Sequence, residues 1–281
     1  MDISVFLLVL CSSCIHALWN FTSKKVSGDL SITTLGLWMA NLTLLPFSLV
    51  IVSKYGFDTQ GLRFLVITAI GYVFYFLFLN LSYKAGDIST VYPISRGTGV
   101  AGTAIIAHIF LKEIFSGFGV FGIVLIFLGV LLISIKKKLI NAELKPVLYS
   151  IMLGLTVIIY SINDKQGVSY INPIVYINFR NILALLIMTP FVSRKGFPLV
   201  KEILTQKLRY SAIIGYGVIG SYLLTLFAYT RANVGYVSPV REFSVVIGTA
   251  LGVVFLKEKL TIGKIIGIIL VTAGLVFIKL S

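Results

Sequence analysis

Residues 110–129 read FLKEIFSGFGVFGIVLIFLG, and residues 255–274 read FLKEKLTIGKIIGIILVTAG. The tetrapeptide Phe110-Leu111-Lys112-Glu113 returns as Phe255-Leu256-Lys257-Glu258. In both places it leads into an apolar run with two evenly spaced glycines, Gly122 and Gly129 first, Gly267 and Gly274 second. Moving toward the N-terminus, Tyr83-Lys84-Ala85 precedes Tyr92-Pro93-Ile94, as Tyr229-Thr230-Arg231 precedes Ser238-Pro239-Val240. Near the start, Trp19-Asn20 corresponds to Ile162-Asn163. The offset stays at about 143 to 146 residues throughout. Several matches in one order point to an internal duplication, with repeats over residues 1–138 and 139–281.

Each repeat is built from apolar runs. Crossing about 30 Å of hydrocarbon at 1.5 Å per residue takes roughly 17–25 residues. Runs of that length fall at 3–23, 31–52, 63–82, 88–110, 118–135, 147–164, 172–192, 210–229, 235–256 and 262–279. The fold expected is therefore all-α and integral to a membrane, with ten transmembrane helices. Five spans per repeat is an odd number, so the second repeat enters from the opposite face. That makes an inverted repeat, an architecture of secondary transporters whose substrate site lies near the midplane.

Composition agrees. The 281 residues are 58% hydrophobic and 12% charged, and mean hydropathy is +1.00. Soluble domains carry about 25% charged residues. The net charge of +14 would suggest nucleic acid in a soluble chain. Here the basic residues lie mostly between apolar runs, as the positive-inside bias requires, and nucleic acid is not an expected partner. One set of loops holds Lys24, Lys25, Lys84, Lys136, Lys137, Lys138, Lys145, Arg194, Lys195, Lys201, Lys207, Arg209, Lys257, Lys259 and Lys264. The opposite set holds only Lys54, Arg63, Lys112, Lys165, Arg231 and Lys279, which places both termini outside. The first run reads as a span rather than a signal peptide, because its leading segment carries Asp2 and no positive charge. Cys11 and Cys14 are too few for a structural zinc site and read as small apolar residues.

The segments Phe110–Gly129 and Phe255–Gly274 resemble the EamA domain of the drug/metabolite transporter superfamily. Two EamA-like halves cover nearly the whole chain, and the resemblance implies a ten-helix transporter, with substrates that vary widely across the family. Arg180, in the second span of the second half, resembles an arginine often found there in that family. The comparable stretch of the first half, Leu37-Trp38-Met39-Ala40-Asn41, has none. His16-Ala17-Leu18-Trp19-Asn20 resembles a subgroup associated with phosphonate utilisation.

Polar groups inside spans are costly and mark candidate sites. On the first helix Ser12, His16, Asn20 and Ser23 form one stripe by helical spacing. The sixth helix carries Thr156, Tyr160 and Asn163, with Asp164 at its boundary. Both stripes fit either a cavity wall or interhelical hydrogen bonding. The fourth helix aligns Tyr92, Arg96, Gly99 and Thr103 beside Pro93, and the ninth has Pro239 followed by Arg241 and Glu242. Helices loosened at matching places point to the site. Arg96, Arg180 and Arg241 face one clear intramembrane anion, Glu242, so at least one arginine needs a counter-charge. A substrate carboxylate, phosphate or phosphonate would supply it, because guanidinium presents a matching planar fork. Carbonyl pairing or snorkelling at the interface is the alternative. Tyr72, Tyr83, Tyr222 and Tyr229 are candidate aromatic walls.

The candidate substrate-binding residues are thus His16, Asn20, Tyr72, Tyr92, Arg96, Tyr160, Asn163, Arg180, Arg241 and Glu242, with Glu242 or His16 as proton carrier. Gly248–Gly252 and Gly263–Gly267 fit either packing within the bundle or a homodimer. Glu113 and Glu258 read as local ion pairs or helix-end groups. No HExxH or Walker A motif occurs and the chain has two histidines, so neither an enzyme, a metal site nor a cofactor is expected. The reading is a multi-pass protein of a bacterial inner or plasma membrane, whose partners are the bilayer and a small polar solute. It moves that solute by alternating access, or, as a membrane sensor or accessory protein, binds it without transport.

Overall fold

The computed structural model describes residues 1–26, 29–85, 88–134, 144–192 and 203–281, without the side chains of Tyr83, residues 88–90, Tyr92, Pro93, Phe191, Val192 and Leu204. The expectations for Tyr83, Tyr92 and Pro93, and for the repeat junction near residue 138, lie outside the described residues.

The described helices are α1 (Ile3–Lys25), α2 (Leu30–Tyr55), α3 (Leu62–Ala85), α4 (Ile88–Phe110), α5 (Gly117–Ser134) and α6 (Leu144–Gly167). They continue with α7 (Pro173–Val192), α8 (Leu208–Tyr229), α9 (Val234–Arg241), α10 (Phe243–Leu256) and α11 (Ile262–Leu280). Lipid offers no partner to a bare N–H or C=O, so helices that satisfy their own backbone are the solution. Asp2 and Asp29 cap α1 and α2 by accepting from Ser4 N and Ser31 N, each at 2.7 Å. Nine spans among the described residues are long and apolar enough to cross a bilayer, with α9 and α10 counted together. α4 is the tenth crossing; its 23 residues reach about 34 Å. It packs against α5, α6 and α9 and is less apolar because it carries Ser95, Arg96, Thr98, Thr103 and His108. The chain is an all-α, multi-pass membrane protein.

Two corrections to the sequence reading bear on the site. The ninth span is two helices, with the chain turning after Pro239 where Glu242 N–H donates to Pro239 O at 2.9 Å. α6 runs past its apolar window to Gly167, which takes Asp164 from the expected boundary into the interior, at 0% exposure.

The halves pack crosswise. α1 of the first half lies on α8 of the second, and α6 of the second lies on α3 of the first. α5 and α11, matching helices, pack on each other. A Cβ on Gly122 would stand 2.7 Å from Gly274 O, and one on Gly274 would stand 2.6 Å from Gly122 O. Gly129 and Gly267 repeat that reciprocal contact at 2.7 and 2.6 Å. Glycines let the two backbones touch, which is how helices associate where lipid removes the hydrophobic drive. Gly263–Gly267 therefore packs inside the bundle, whereas a Cβ on Gly248 would meet nothing within 4 Å.

Candidate functional site

A narrow crevice with about 30 Å³ of free space lies among α4, α6 and the α9–α10 break. On α4, Arg96, Gly99 or Val100, and Thr103 share the wall because they are three or four residues apart. Val157, Tyr160 and Ser161 do the same from α6. Ser238, Arg241 and Glu242 come from the turn that ends α9, where the regular helix is interrupted within the ninth span.

The charges meet here. Arg96 Nη1 lies 2.9 Å from Glu242 Oε1, and these side chains are 22% and 7% exposed. His16, buried on α1, stands between the two arginines. Its Nδ1 is 3.2 Å from Arg241 Nη2 and its Nε2 is 3.5 Å from Arg96 Nη2. A neutral imidazole has one acceptor nitrogen, so at most one of these contacts is a hydrogen bond. The shorter one, Arg241 donating to Nδ1, fits. Trp19 sets an edge against the His16 ring at 4.9 Å.

Arg241 has no carboxylate partner among the described residues. Its Nε is buried and makes no hydrogen bond, and its guanidinium carbon lies 4.9 Å from the centre of the Tyr222 ring. Glu242 Oε2 is also buried without a partner. Two arginines and one glutamate thus leave one uncompensated positive charge on the crevice, together with an orphan acceptor oxygen.

Arg180 belongs to a separate, sealed cluster. It is 1% exposed, and its Nη1 donates to Asp164 Oδ2 at 3.1 Å. Its Nε and Nη2 donate to Asn181 Oδ1 at 3.1 and 2.7 Å. Tyr72 and Tyr222 present ring faces to its guanidinium carbon at 4.6 and 4.8 Å. Asp164 also accepts from Tyr176 OH at 2.8 Å and from Tyr222 OH. The counter-charge that Arg180 was expected to seek is Asp164, so the shortage narrows to Arg241.

The structure thus gathers His16, Arg96, Tyr160, Arg241 and Glu242 around one crevice. Tyr72 stands one layer back, in edge contact with Tyr160 at 6.0 Å between ring centres. Asn20 and Asn163 spend their amides on their own helices, donating to His16 O and Ile159 O, both at 2.8 Å. Sequence reasoning left out Ser95, Ser161 and Ser238, which line the crevice. It also left out Ser13, whose hydroxyl reaches Arg241 O at 3.1 Å and ties α1 to the break. Ser95 and Ser161 flank named candidates in sequence and Ser238 precedes Pro239, which was the available signal.

The EamA-like transporter family matches this chain twice, over residues 3–135 and 144–280. Multidrug resistance protein EbrB of Bacillus subtilis is 37% identical over 68 residues, 24% of this chain and 58% of that protein. An uncharacterized protein of Methanocaldococcus jannaschii is 33% identical over 81 residues, 29% of this chain and 56% of its own length. The chain spans just over half the length of these relatives. A solved structure, described only as a crystal structure of protein, shares the fold with a TM-score of 0.79 at 13% identity, covering 100% of this chain and 98% of the other.

Proposed function

We propose, for a chain that belongs to the EamA-like transporter family, that it is a secondary transporter of a small metabolite carrying a carboxylate, phosphate or phosphonate. The observation that carries this is Arg241: a cation within a membrane span, on a crevice, with no carboxylate partner among the described residues and a buried, unbonded Nε. An intramembrane charge left unpaired is costly, and a ligand that supplies the counter-charge recovers that cost. Guanidinium takes carboxylate or phosphate oxygens in bidentate fashion. Glu242 Oε2 would accept an ammonium or hydroxyl from the same ligand, so a small zwitterion such as an amino acid or aminophosphonate satisfies both ends. In this state the free space of the crevice, about 30 Å³, has room for about two waters, so the ligand is held in a state where the crevice is wider. Tyr160 and the ring of Tyr222 beside Arg241 supply its aromatic side.

In this reading His16 and Arg96 hold Arg241 and Glu242 in place, and Glu242 carries the coupled proton. The inverted halves rock about the crevice, exposing it to each face in turn. The positive-inside bias would put both termini outside. A thermal-stabilisation screen of the purified protein with amino acids, carboxylates and phosphonates should find a ligand. That ligand should then exchange by counterflow in sealed vesicles, and Arg241→Gln should abolish both effects. Stabilisation without counterflow would favour a sensor, and stabilisation that survives Arg241→Gln would refute the site.

A further inference from the structure

The crevice and the Asp164–Arg180 cluster account for the buried charges within the spans but not for Glu113 and Glu258, the acids of the repeated tetrapeptide. Their backbone settings are alike. Each follows a lysine in the left-handed region, Lys112 at φ 56° and Lys257 at φ 54°. Each donates its N–H six residues back, Glu113 to Ala107 O at 3.3 Å and Glu258 to Gly252 O at 3.1 Å. This left-handed helix end is built twice although neither copy has the usual glycine at the left-handed position.

What the two carboxylates touch is different. Glu113 is buried, and it accepts from Val234 N at 2.8 Å and Gly235 N at 3.0 Å. Those are the first two N–H groups of α9, so a side chain of one half caps the broken helix of the other. The contact is reinforced around it. Ser116 N donates to Tyr236 OH at 3.0 Å, and Phe115 packs on the Tyr236 ring at 5.1 Å. Lys165 Nζ donates to Ala232 O at 2.9 Å. Together these contacts fasten the α4–α5 connection and the end of α6 to the start of α9.

At the other face Glu258 makes no such cap among the described residues. It is ion-paired to Lys24 at 2.6 Å and Lys264 at 3.2 Å, with its side chain 37% exposed. By the offset that relates Pro93 to Pro239, the counterparts of Val234 and Gly235 are residues 88 and 89, where α4 begins. Glu258 is therefore the counterpart of a capping residue, held on lysines, and its matching helix end belongs to the other half.

We propose that Glu113 and Glu258 are reciprocal latches for the two mouths of the crevice. In the state seen here Glu113 caps α9 and closes one mouth. In the opposite state Glu258 leaves Lys24 and Lys264, caps the start of α4 and closes the other mouth, while Glu113 releases α9. The exchange conserves the number of charge-assisted caps, so neither state is strongly favoured, as alternating access requires. The Lys24 pair is exposed and the Lys264 pair only partly covered, so both hold Glu258 weakly enough to be given up. This rests on the alternating-access reading above.

The two latches give opposite signs, which makes them testable without substrate. With Cys11 and Cys14 replaced by serine, spin labels at Ile114 and Thr230 report one mouth, and labels at Lys84 and Lys259 report the other, in lipid nanodiscs. Glu113→Gln should widen the first distance and narrow the second, changing the ratio of the two populations at least about tenfold. Glu258→Gln should move the ratio the other way or fix the present state. Tyr236→Phe, milder at the same mouth as Glu113, should shift it in the Glu113→Gln direction and serves if Glu113→Gln does not fold. Unmoved distances in all three, or the same direction for both glutamates, would overturn the proposal. Counterflow that persists while the distances stay fixed would remove the latches alone. Distances that exchange in a protein giving no counterflow would retain the latches and remove transport.

Discussion

Replacing Asp164 with asparagine separates a structural arginine from a binding one. Asp164 is fully buried and accepts from Arg180, Tyr176 and Tyr222. Asparagine keeps one acceptor oxygen and turns a donor amide toward groups that themselves donate, so at least one bond is lost. Arg180, at 1% exposure, then has no carboxylate among the described residues. A hydrogen bond to a charged group is worth about 1.5–3 kcal/mol. Removing one member of a buried ion pair costs about 3–5 kcal/mol. The expected loss for Asp164→Asn is therefore about 3–5 kcal/mol. Arg180→Met should cost nearly as much, since it strands the aspartate. The double variant removes both charges; Tyr176 retains Thr68 at 3.1 Å, and the remaining penalty is about 1–3 kcal/mol for an orphaned hydroxyl. The cycle should thus show a coupling of about 3 kcal/mol or more. Reversible unfolding by SDS titration in mixed micelles reads each of the four proteins. A single variant costing under about 1 kcal/mol, or a strictly additive cycle, would refute the assignment of Asp164 as the partner of Arg180.

Arg241→Gln should behave oppositely. Ligand binding should fall by at least about tenfold, while the ligand-free melting temperature stays level or rises because an unpaired buried charge has gone. At the α5–α11 contact, Gly267→Ala places a Cβ 2.6 Å from Gly129 O and should cost about 1–3 kcal/mol by forcing the helices apart. Gly248→Ala meets nothing within 4 Å and should be neutral or stabilising by about 0.5–1 kcal/mol, both read as melting temperatures. The bond from Lys24 holds the Glu258 carboxyl below its usual range. A depressed folded value means the pair stabilises the fold above the unfolded pKa, about 4.3, and that stability is lost as pH falls through the folded value. A fraction of a kcal/mol is expected for so exposed a pair. The acid-side drop in melting temperature should therefore shrink slightly in Glu258→Gln.

The duplication, the ten crossings and the all-α class were legible in the sequence because they rest on run length and on ordered repeats, both of which survive small errors in boundary. The crevice was partly legible for the same reason: Arg96, Arg241 and Glu242 stand beside the matched prolines, and His16 lies on a polar stripe. Asp164 was misplaced because a charge ends an apolar window without ending the helix that carries it. Its partnership with Arg180 depends on how α6 and α7 are each set against α3 and α8, which no local pattern encodes. Asn20 and Asn163 have the spacing of cavity residues, but asparagine in a helix can bond the carbonyl four residues back, and here that local partner won. The trans cap by Glu113 was invisible for a like reason, since its acceptor oxygens meet N–H groups from a segment remote in sequence.

One contact at the crevice bears on how such a chain comes to be. By the offset that pairs Pro93 with Pro239, Arg96 and Glu242 occupy the same place in the two repeats, and they touch each other. A position that meets its own copy lies on the symmetry axis. In an assembly of two identical subunits that place must hold the same residue twice, arginine facing arginine or glutamate facing glutamate, and like charges repel. Joining the subunits into one polypeptide frees the two places to diverge. An attractive pair on the axis, and an adjoining arginine left over to serve a ligand, are options open to a fused gene and closed to a symmetric dimer.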